Sequence, residues 1–295
     1  MPTNEQRRAT AKRKLERQLE RRAQQEKRRQ LFVVIGGIVA IAVAAALVVT
    51  FVLTNKDDKD KTASGATSTA PVESDAPTTA PPATGGLPAF KPSANLGSNC
   101  QYPASPEPAS KKVDAPHSGK VPTNPATVSA SMSTNQGNLG LVLDNAKAPC
   151  TVNSFASLAQ KGYFNDTPCH RLTTSPSLSV LQCGDPTGSG TGGPGYQFAN
   201  EYPTDQYPPN DPALQQPVVY PRGTLAMANA GPGTNGSQFF LVYKDSQLPP
   251  NYTAFGTIDA TGLATLDKIA AAGVAGGGQD GKPATDVRIK SILLD

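Results

Sequence analysis

Three stretches of the sequence set one strongly polar side chain among apolar neighbours, in short runs that read as strands. The first is His170-Arg171-Leu172, leading to Val180-Leu181-Gln182-Cys183-Gly184-Asp185. The second is Leu225-Ala226-Met227-Ala228-Asn229-Ala230-Gly231-Pro232, and the third is Thr234-Asn235-Gly236-Ser237-Gln238-Phe239-Phe240, with Phe255-Gly256 beyond it. Taken singly, Arg171 reads as a surface charge and Gln238 as a strand-edge amide. Together they bring guanidinium and carboxamide hydrogen-bonding groups into apolar surroundings. His170 reads as a packed structural histidine rather than an acid or base. Two His and four Cys with no C-x-x-C or H-x-x-x-H spacing do not make a metal site. The run Gly188-Ser-Gly190-Thr-Gly192-Gly193 contains G-x-G-x-x-G, but Pro194 and Gly195 follow where a helix would have to start, so no helix N-terminus receives a pyrophosphate.

Elements of two periods must position these groups. Val128, Ala130 and Met132 alternate with polar residues, Asn135-Gln136-Gly137 gives a turn, and Leu139, Leu141 and Leu143 alternate again, which predicts a β-hairpin. Val152, Phe155, Leu158 and Ala159 recur at helical spacing up to Gly162, predicting a helix between Pro149 and Lys161. Short apolar runs at Val180–Gln182, Thr224–Ala228, Phe239–Tyr243 and Phe255–Ile258 read as strands between Gly-, Pro- and Asn-rich loops. Leu263, Leu266, Ile269 and Ala270 predict a second helix ending at Gly273, and Val287, Ile289 and Ile292–Leu294 a last strand. About eight strands and two helices suggest a closed β-barrel with helices over its open ends.

The rest of the chain has another character. Of 295 residues only 37% are hydrophobic, while 27 are Gly and 28 Pro, which excludes one uniformly packed domain. Residues 1–30 hold eleven Lys/Arg against four Glu, so the net charge of +4 and the basic balance belong to this end. The remainder offers no basic face for nucleic acid. Residues 31–53, LFVVIGGIVAIAVAAALVVTFVL, carry neither charge nor Pro over 23 residues, enough to cross a bilayer as one helix. The basic segment beside it predicts a cytoplasmic N-terminus, and the length of both favours an uncleaved signal anchor in the cell membrane over a signal peptide. Residues 54–124 are rich in Ser, Thr, Ala and Pro and read as a disordered extracytoplasmic tether. Residues 125–295 form the folded domain.

Across that domain the sequence resembles the cyclophilins, the peptidyl-prolyl cis-trans isomerases. The resemblance rests on Met227-Ala-Asn229-Ala-Gly231-Pro232, Thr234-Asn-Gly-Ser-Gln238-Phe239-Phe240, the helix start Pro149-x-Thr-Val-Asn-x-Phe155, His170-Arg171, Gln182-x-Gly184-Asp185, Gly190-Thr-Gly192-Gly193 and Phe255-Gly256. It is nearest in kind to the membrane-anchored, extracytoplasmic cyclophilins of actinobacteria. It implies an eight-stranded closed antiparallel barrel capped by two helices, no cofactor, and an activity toward proline-containing peptides and folding exported proteins. No feature suggests an obligate oligomer, and the domain reads as a monomer tied to lipid through one helix.

The resemblance assigns roles. Arg171 matches the family's catalytic arginine, which donates to the prolyl nitrogen as the amide twists. Gln182 orients Arg171 and contacts substrate, while the Asn229 main chain and Gln238 hold the peptide. Val180, Phe240 and Leu248 line the proline slot with Leu178 or Ser179, Tyr252 stands beside it, and Ala228 and Ala230 are small where the peptide approaches. Between His170 and Asp185 the chain is three residues longer than the common pattern, and the usual slot aromatic gives way to Leu178 or Ser179 and its Met neighbour to Val180, so an altered preference is expected. Gln247 replaces a Trp, and Tyr252 a His, that many eukaryotic members place against cyclosporin, so weak binding of that inhibitor is expected. The role of Tyr202–Pro221 is not legible.

Four exported Cys allow three connectivities. Cys169 and Cys183 flank the hairpin that carries Arg171 and Gln182 and are expected to face each other across it, which leaves Cys100 in the tether for Cys150 at the first helix. Two other readings share this sequence: a Pro-peptide-binding chaperone or wall-scaffold module of the same fold without turnover, and a purely structural wall anchor. The second of these has no use for polar residues in a cleft.

Overall fold

The computed structural model describes residues 85–295. The basic segment, the apolar run 31–53 and the tether up to residue 84 lie outside the described residues. Among those described, no helix is long and apolar enough to cross a membrane.

The strands, in chain order, are β1 (Val128–Thr134), β2 (Gly137–Leu143), β3 (Thr167–Pro168), β4 (Arg171–Thr173), β5 (Val180–Cys183), β6 (Val218–Tyr220), β7 (Thr224–Met227), β8 (Phe239–Val242), β9 (Ser246–Leu248), β10 (Ala254–Ile258), β11 (Asp280–Gly281) and β12 (Arg288–Leu294). Helix α1 (Pro149–Gln160) follows β2, and α2 (Ala260–Ala272) follows β10. One antiparallel sheet takes the order β11-β4-β5-β8-β7-β10-β2-β1-β12-β3. β3, at one end of that order, and β4, second from the other end beside the two-residue β11, are separated only by Cys169 and His170, and the Cys169 amide donates to the Val287 carbonyl at 2.8 Å. The sheet therefore curls, bringing β3 and β4 together on the one stretch Thr167–Thr173.

The predicted hairpin is β1 and β2, with Ala130 opposite Leu141 and Met132 opposite Leu139, all four turned into the core. Alternation fixes that choice, because a one-residue slip would send every one of these side chains to solvent. Helix α1 buries Val152, Phe155, Leu158 and Ala159. Its Phe155 ring meets Phe164, Phe239 and Phe255 at centroid separations of 5.1, 5.4 and 5.2 Å, within the range where aromatic rings attract beyond their area. Gly162, at φ +63°, ends the helix: its amide bonds the Ala159 carbonyl and the next amide the Leu158 carbonyl, a turn that L side chains resist. Helix α2 starts on Asp259, whose carboxylate accepts from the Gly262 amide at 2.6 Å, and stops before Gly273.

The start of α1 is capped from far away. Ala148 offers no capping side chain. Instead the carboxylate of Glu201 accepts from the Cys150 amide at 3.0 Å and from the Thr151 amide and hydroxyl at 2.8 and 2.7 Å. Those amides are among the orphan donors of a helix N-terminus. Burial, opposed by these hydrogen bonds, pushes the Glu201 carboxyl up to about 7.

Residues 85–124, which composition places in the tether, run along the surface of the domain. Cys100 is bonded to Cys150. Tyr102 packs edge-on to Tyr196 and Phe198, at 5.8 and 5.6 Å, and its hydroxyl donates to the Cys150 carbonyl. Lys111 donates to the Gly162 and Tyr163 carbonyls at 2.7 and 3.1 Å. A few isolated apolar anchors, Leu87, Phe90, Tyr102, Val113 and Val121, hold this stretch without any period that a sequence pattern would reveal. The segment Tyr202–Pro221 also has an ordered role. It contains two short 3-10 turns and β6, which pairs outside the main sheet with β9, with Val218 opposite Leu248.

Candidate active site

Arg171 and Gln182 are register partners across β4 and β5. Below them Cys169 and Cys183 are bonded, with their Cα atoms 4.0 Å apart, and the expected Cys100–Cys150 pair completes the set, leaving no free cysteine among the described residues. The guanidinium is gripped from two sides. Its Nε and Nη2 donate to the two oxygens of Asp280 at 2.7 Å each, and Nη1 donates to Gln182 Oε1 at 3.3 Å. The hydrogen bonds that Arg171 donates to Asp280, outweighing burial, raise the Arg171 pKa further, and the same pair holds the Asp280 carboxyl below the usual carboxylate range. Asp280 sits on β11, opposite Thr173, after the run Gly276–Gly278. Sequence reasoning missed it, because a two-residue strand behind three glycines carries no period.

From Gln182 the polar chain continues. Its Nε2 donates to Gln238 Oε1 at 2.9 Å, and Gln238 Nε2 donates to the Gly190 and Gly192 carbonyls, both at 2.9 Å. The loop that offers those carbonyls is tied to buried Asp185, which accepts from the Thr187 amide and hydroxyl and from the Gly190 amide at 2.7, 2.8 and 2.7 Å. Burial alone would raise the Asp185 carboxyl, but these donors lower it, so it stays ionised at the root of the loop. A Cβ at Gly192 would collide with that carboxylate. His170, beside Arg171, is half-buried, with both ring nitrogens shielded and neither hydrogen-bonded, and burial lowers its pKa.

Beyond Arg171 the residues assigned to the proline slot come together. Val180, Phe240, Ala226, Tyr220 and Val242 form an apolar cluster separate from the main core, with Leu178, Ala228, Leu248 and Tyr252 packed against it. The Tyr252 ring meets Phe240 edge-on at 5.8 Å. The choice between Leu178 and Ser179 falls to Leu178, because Ser179 is turned away: its amide donates to Ser246 Oγ and its hydroxyl to the Ser175 carbonyl. Leu248 reaches the cluster from β9, so the β6 segment props one wall of the slot. Gln247 lies on the same strand, its amide bonded to the Ser177 carbonyl. Ala230 stands apart, exposed at the rim of a neighbouring cavity that Ala228, Asn229 and Gln238 also line. The Asn229 side chain is spent on the scaffold, donating to Asn235 Oδ1 and the Asn251 carbonyl and accepting from the Gly231 amide.

The site thus joins an anchored guanidinium to two linked carboxamides, with an apolar cluster on the strands that carry them. Comparison with known proteins gives the class. Residues 129–293 match the family model described as cyclophilin type peptidyl-prolyl cis-trans isomerase/CLD. The chain is 66% identical over its whole length to a Mycobacterium leprae (strain TN) protein described as probable peptidyl-prolyl cis-trans isomerase B, covering all of that protein. It is 68% identical over 296 residues to a protein of the same description from Mycobacterium tuberculosis (strain ATCC 25618 / H37Rv), covering 95% of it. Among solved structures, a Cryptosporidium parvum cyclophilin type isomerase determined in the presence of the dipeptide Ala-Pro is 31% identical, with 57% of this chain and 98% of that one covered at a TM-score of 0.44. The chain belongs to the cyclophilin-type peptidyl-prolyl cis-trans isomerases. Its activity is the cis-trans isomerisation of peptide bonds that precede proline.

Proposed function

We propose that Arg171 performs this isomerisation by donating a hydrogen bond to the prolyl nitrogen. Rotation about a peptide bond is opposed by about 18–20 kcal/mol because the nitrogen lone pair is delocalised into the carbonyl. In the twisted state that lone pair returns to nitrogen, which becomes an acceptor only then. A donor fixed beside it therefore stabilises the transition state and neither planar isomer, which is the condition for catalysis. The observation that carries this reading is the double grip on Arg171 at the edge of the slot: Asp280 and Gln182 fix the guanidinium before substrate arrives. Gln182 and Gln238 then face the peptide as a linked pair, and Asn229, its side chain engaged, contributes main-chain groups. Val180, Phe240, Leu178 and Leu248 receive the ring. The scaffold is read as a closed eight-stranded barrel, with Thr167–Thr173 counted as one strand and the two-residue β11 left outside the count. A charge-assisted hydrogen bond contributes about 1.5–3 kcal/mol, so Arg171→Ala is expected to lower kcat/KM roughly ten- to a hundredfold. Equal rates for the two proteins in a proline isomerisation assay would remove Arg171 from the mechanism and leave a peptide holder.

The enzyme is further read as acting on exported proteins outside the membrane, tethered by residues 31–53 with its N-terminus in the cytoplasm. Two disulfides among the described residues support an oxidising compartment. The full chain should sediment with membranes and resist alkaline extraction, and in intact cells stripped of their wall the domain should be open to added protease. Recovery in the soluble fraction would overturn the anchor.

A further inference from the structure

Beside the Arg171 site lies a cavity of about 520 Å³ that shares Gln182, Ala228 and Gln238 with it. One of its walls does not come from the isomerase domain. Ser105, Pro106, Glu107 and Pro108 line it, and they precede the family match at residue 129 by more than twenty positions. We propose that this arch completes a second side-chain pocket, and that Glu107 makes the pocket select peptides with a Lys or Arg close to the proline. The inference rests on the reading of the Arg171 site given above.

The arch is a built wall. The Gln197 amide donates to the Pro103 carbonyl at 2.9 Å, the Ser105 amide to the Gly195 carbonyl at 3.0 Å and the Ser110 amide to the Gly193 carbonyl at 2.9 Å, while the Gly193 amide returns a bond to Ser110 Oγ at 3.0 Å. The Ser105 hydroxyl folds the turn by donating to the Glu107 carbonyl at 2.6 Å. Both ends are clamped, the first by the Cys100–Cys150 bond and Tyr102, the second by Lys111 on the Gly162 and Tyr163 carbonyls. The contact is close enough to demand glycine: a Cβ on Gly195, at φ +81°, would stand 2.8 Å from the Ala109 amide nitrogen. Fixed in this way, the arch is part of the free enzyme, and a substrate meets it without paying to order it.

The chemistry of the lining sets the ligand. Pro106, Pro108, Pro194, Ala228 and Ala230 offer apolar surface to an aliphatic stem. Among the described residues that line the cavity, Glu107 is the only acidic or basic side chain, and the Tyr196 phenol is pushed up to about 12 by burial. No salt bridge occupies Glu107 among the described residues. A Lys or Arg side chain lays its methylenes on apolar surface and keeps its head in water near the carboxylate. An acidic side chain in the same place meets repulsion.

The test uses the full chain and peptides in which Lys, Leu or Glu occupies, in turn, each of the two positions before and the two after an Ala-Pro bond. Rates are read by NMR exchange, so no coupling protease adds its own preference. At the position that enters the pocket the Lys peptide should exceed the Glu peptide about fivefold in kcat/KM at low salt, the scale of an exposed ion pair gained against a repulsion. The ratio should shrink as salt screens it, approach one in Glu107→Gln and invert in Glu107→Lys. Because the readout is a ratio, a general change in activity cancels. Equal rates for Lys and Glu at all four positions, or a preference that survives Glu107→Gln, would overturn the proposal while turnover itself persists. Loss of the Arg171 dependence with the Lys preference intact would instead remove the mechanism and leave the pocket.

Discussion

Asp280 is the residue on which the Arg171 geometry depends most. A guanidinium on a flexible stem has many rotamers, and holding one of them costs entropy unless a planar, bidentate partner fixes it. Asp280 supplies both oxygens at 2.7 Å, leaving Gln182 to steer the remaining nitrogen. Asp280→Asn offers one acceptor where two were used, so the side chain is expected to swing and kcat/KM to fall about tenfold, equivalent to 1.36 kcal/mol. The fall should be in kcat with KM nearly unchanged, because the slot residues are untouched. Asp280→Glu should recover part of the rate. A variant that loses stability but keeps kcat would reduce Asp280 to a strand-end ion pair. At this scale much was legible in advance: Arg171, Gln182, Gln238, Val180 and Phe240 each stand in a recognisable run, whereas Leu178, Leu248 and Tyr252 were assigned by the family resemblance alone, and the structure brings the residues so assigned to the slot into one apolar cluster. Asp280 was not, because its partner lies 109 residues away and no local pattern records the pairing.

At the scale of elements, α1 shows a comparable long reach. Its apolar face and its Gly162 stop were plain in the sequence, but its cap was not, since Glu201 arrives from 50 residues downstream. The carboxylate faces two opposed effects. Helix amides and the Thr151 hydroxyl favour the charged form, while burial disfavours it, and burial prevails to put the pKa near 7 against 4.5 for the free group. Between those values the unfolded chain has released a proton that the folded chain retains. Stability contributed by this group is therefore full below pH 4.5 and is lost as pH rises through about 7, by roughly 3 kcal/mol at most. His170 acts in the opposite sense, since its lowered pKa favours the fold above its unfolded value and costs stability on acidification. The net profile mixes the two, and the informative quantity is the difference from Glu201→Gln. Urea unfolding at pH 5 and pH 8 should show that this variant closes part of its stability deficit at the higher pH. A deficit constant over that range would mean that Glu201 is ionised in the fold at both.

Over the whole molecule, the folded unit is larger than the family match. Composition puts a tether through residue 124, and for a stretch rich in Pro, Ser and Thr that inference has sound physics: there is too little apolar surface to offset chain entropy. What composition does not register is how few anchors suffice when a neighbouring surface is already folded. Cys100 ties the stretch covalently, Tyr102 covers Tyr196 and Phe198, and Leu87 and Phe90 pack against the cluster behind the proline slot. The Phe90 ring meets Tyr202 edge-on at 5.6 Å, and the Tyr202 hydroxyl donates to the Pro88 carbonyl. A chain starting at residue 121 would leave Cys150 unpaired, uncover those rings and remove the arch beside Arg171. Closing a loop of this length by a disulfide contributes about 4 kcal/mol, and for a domain of this size 1 kcal/mol moves the Tm by about 2–4 °C. The chain from 121 should therefore melt about 10 °C or more below the full protein, while a chain from 85 should match it, and Cys100→Ser in the longer chain, which leaves Cys169–Cys183 intact, should reproduce much of the difference. If both truncated chains melt together, residues 85–120 ride on the domain without supporting it.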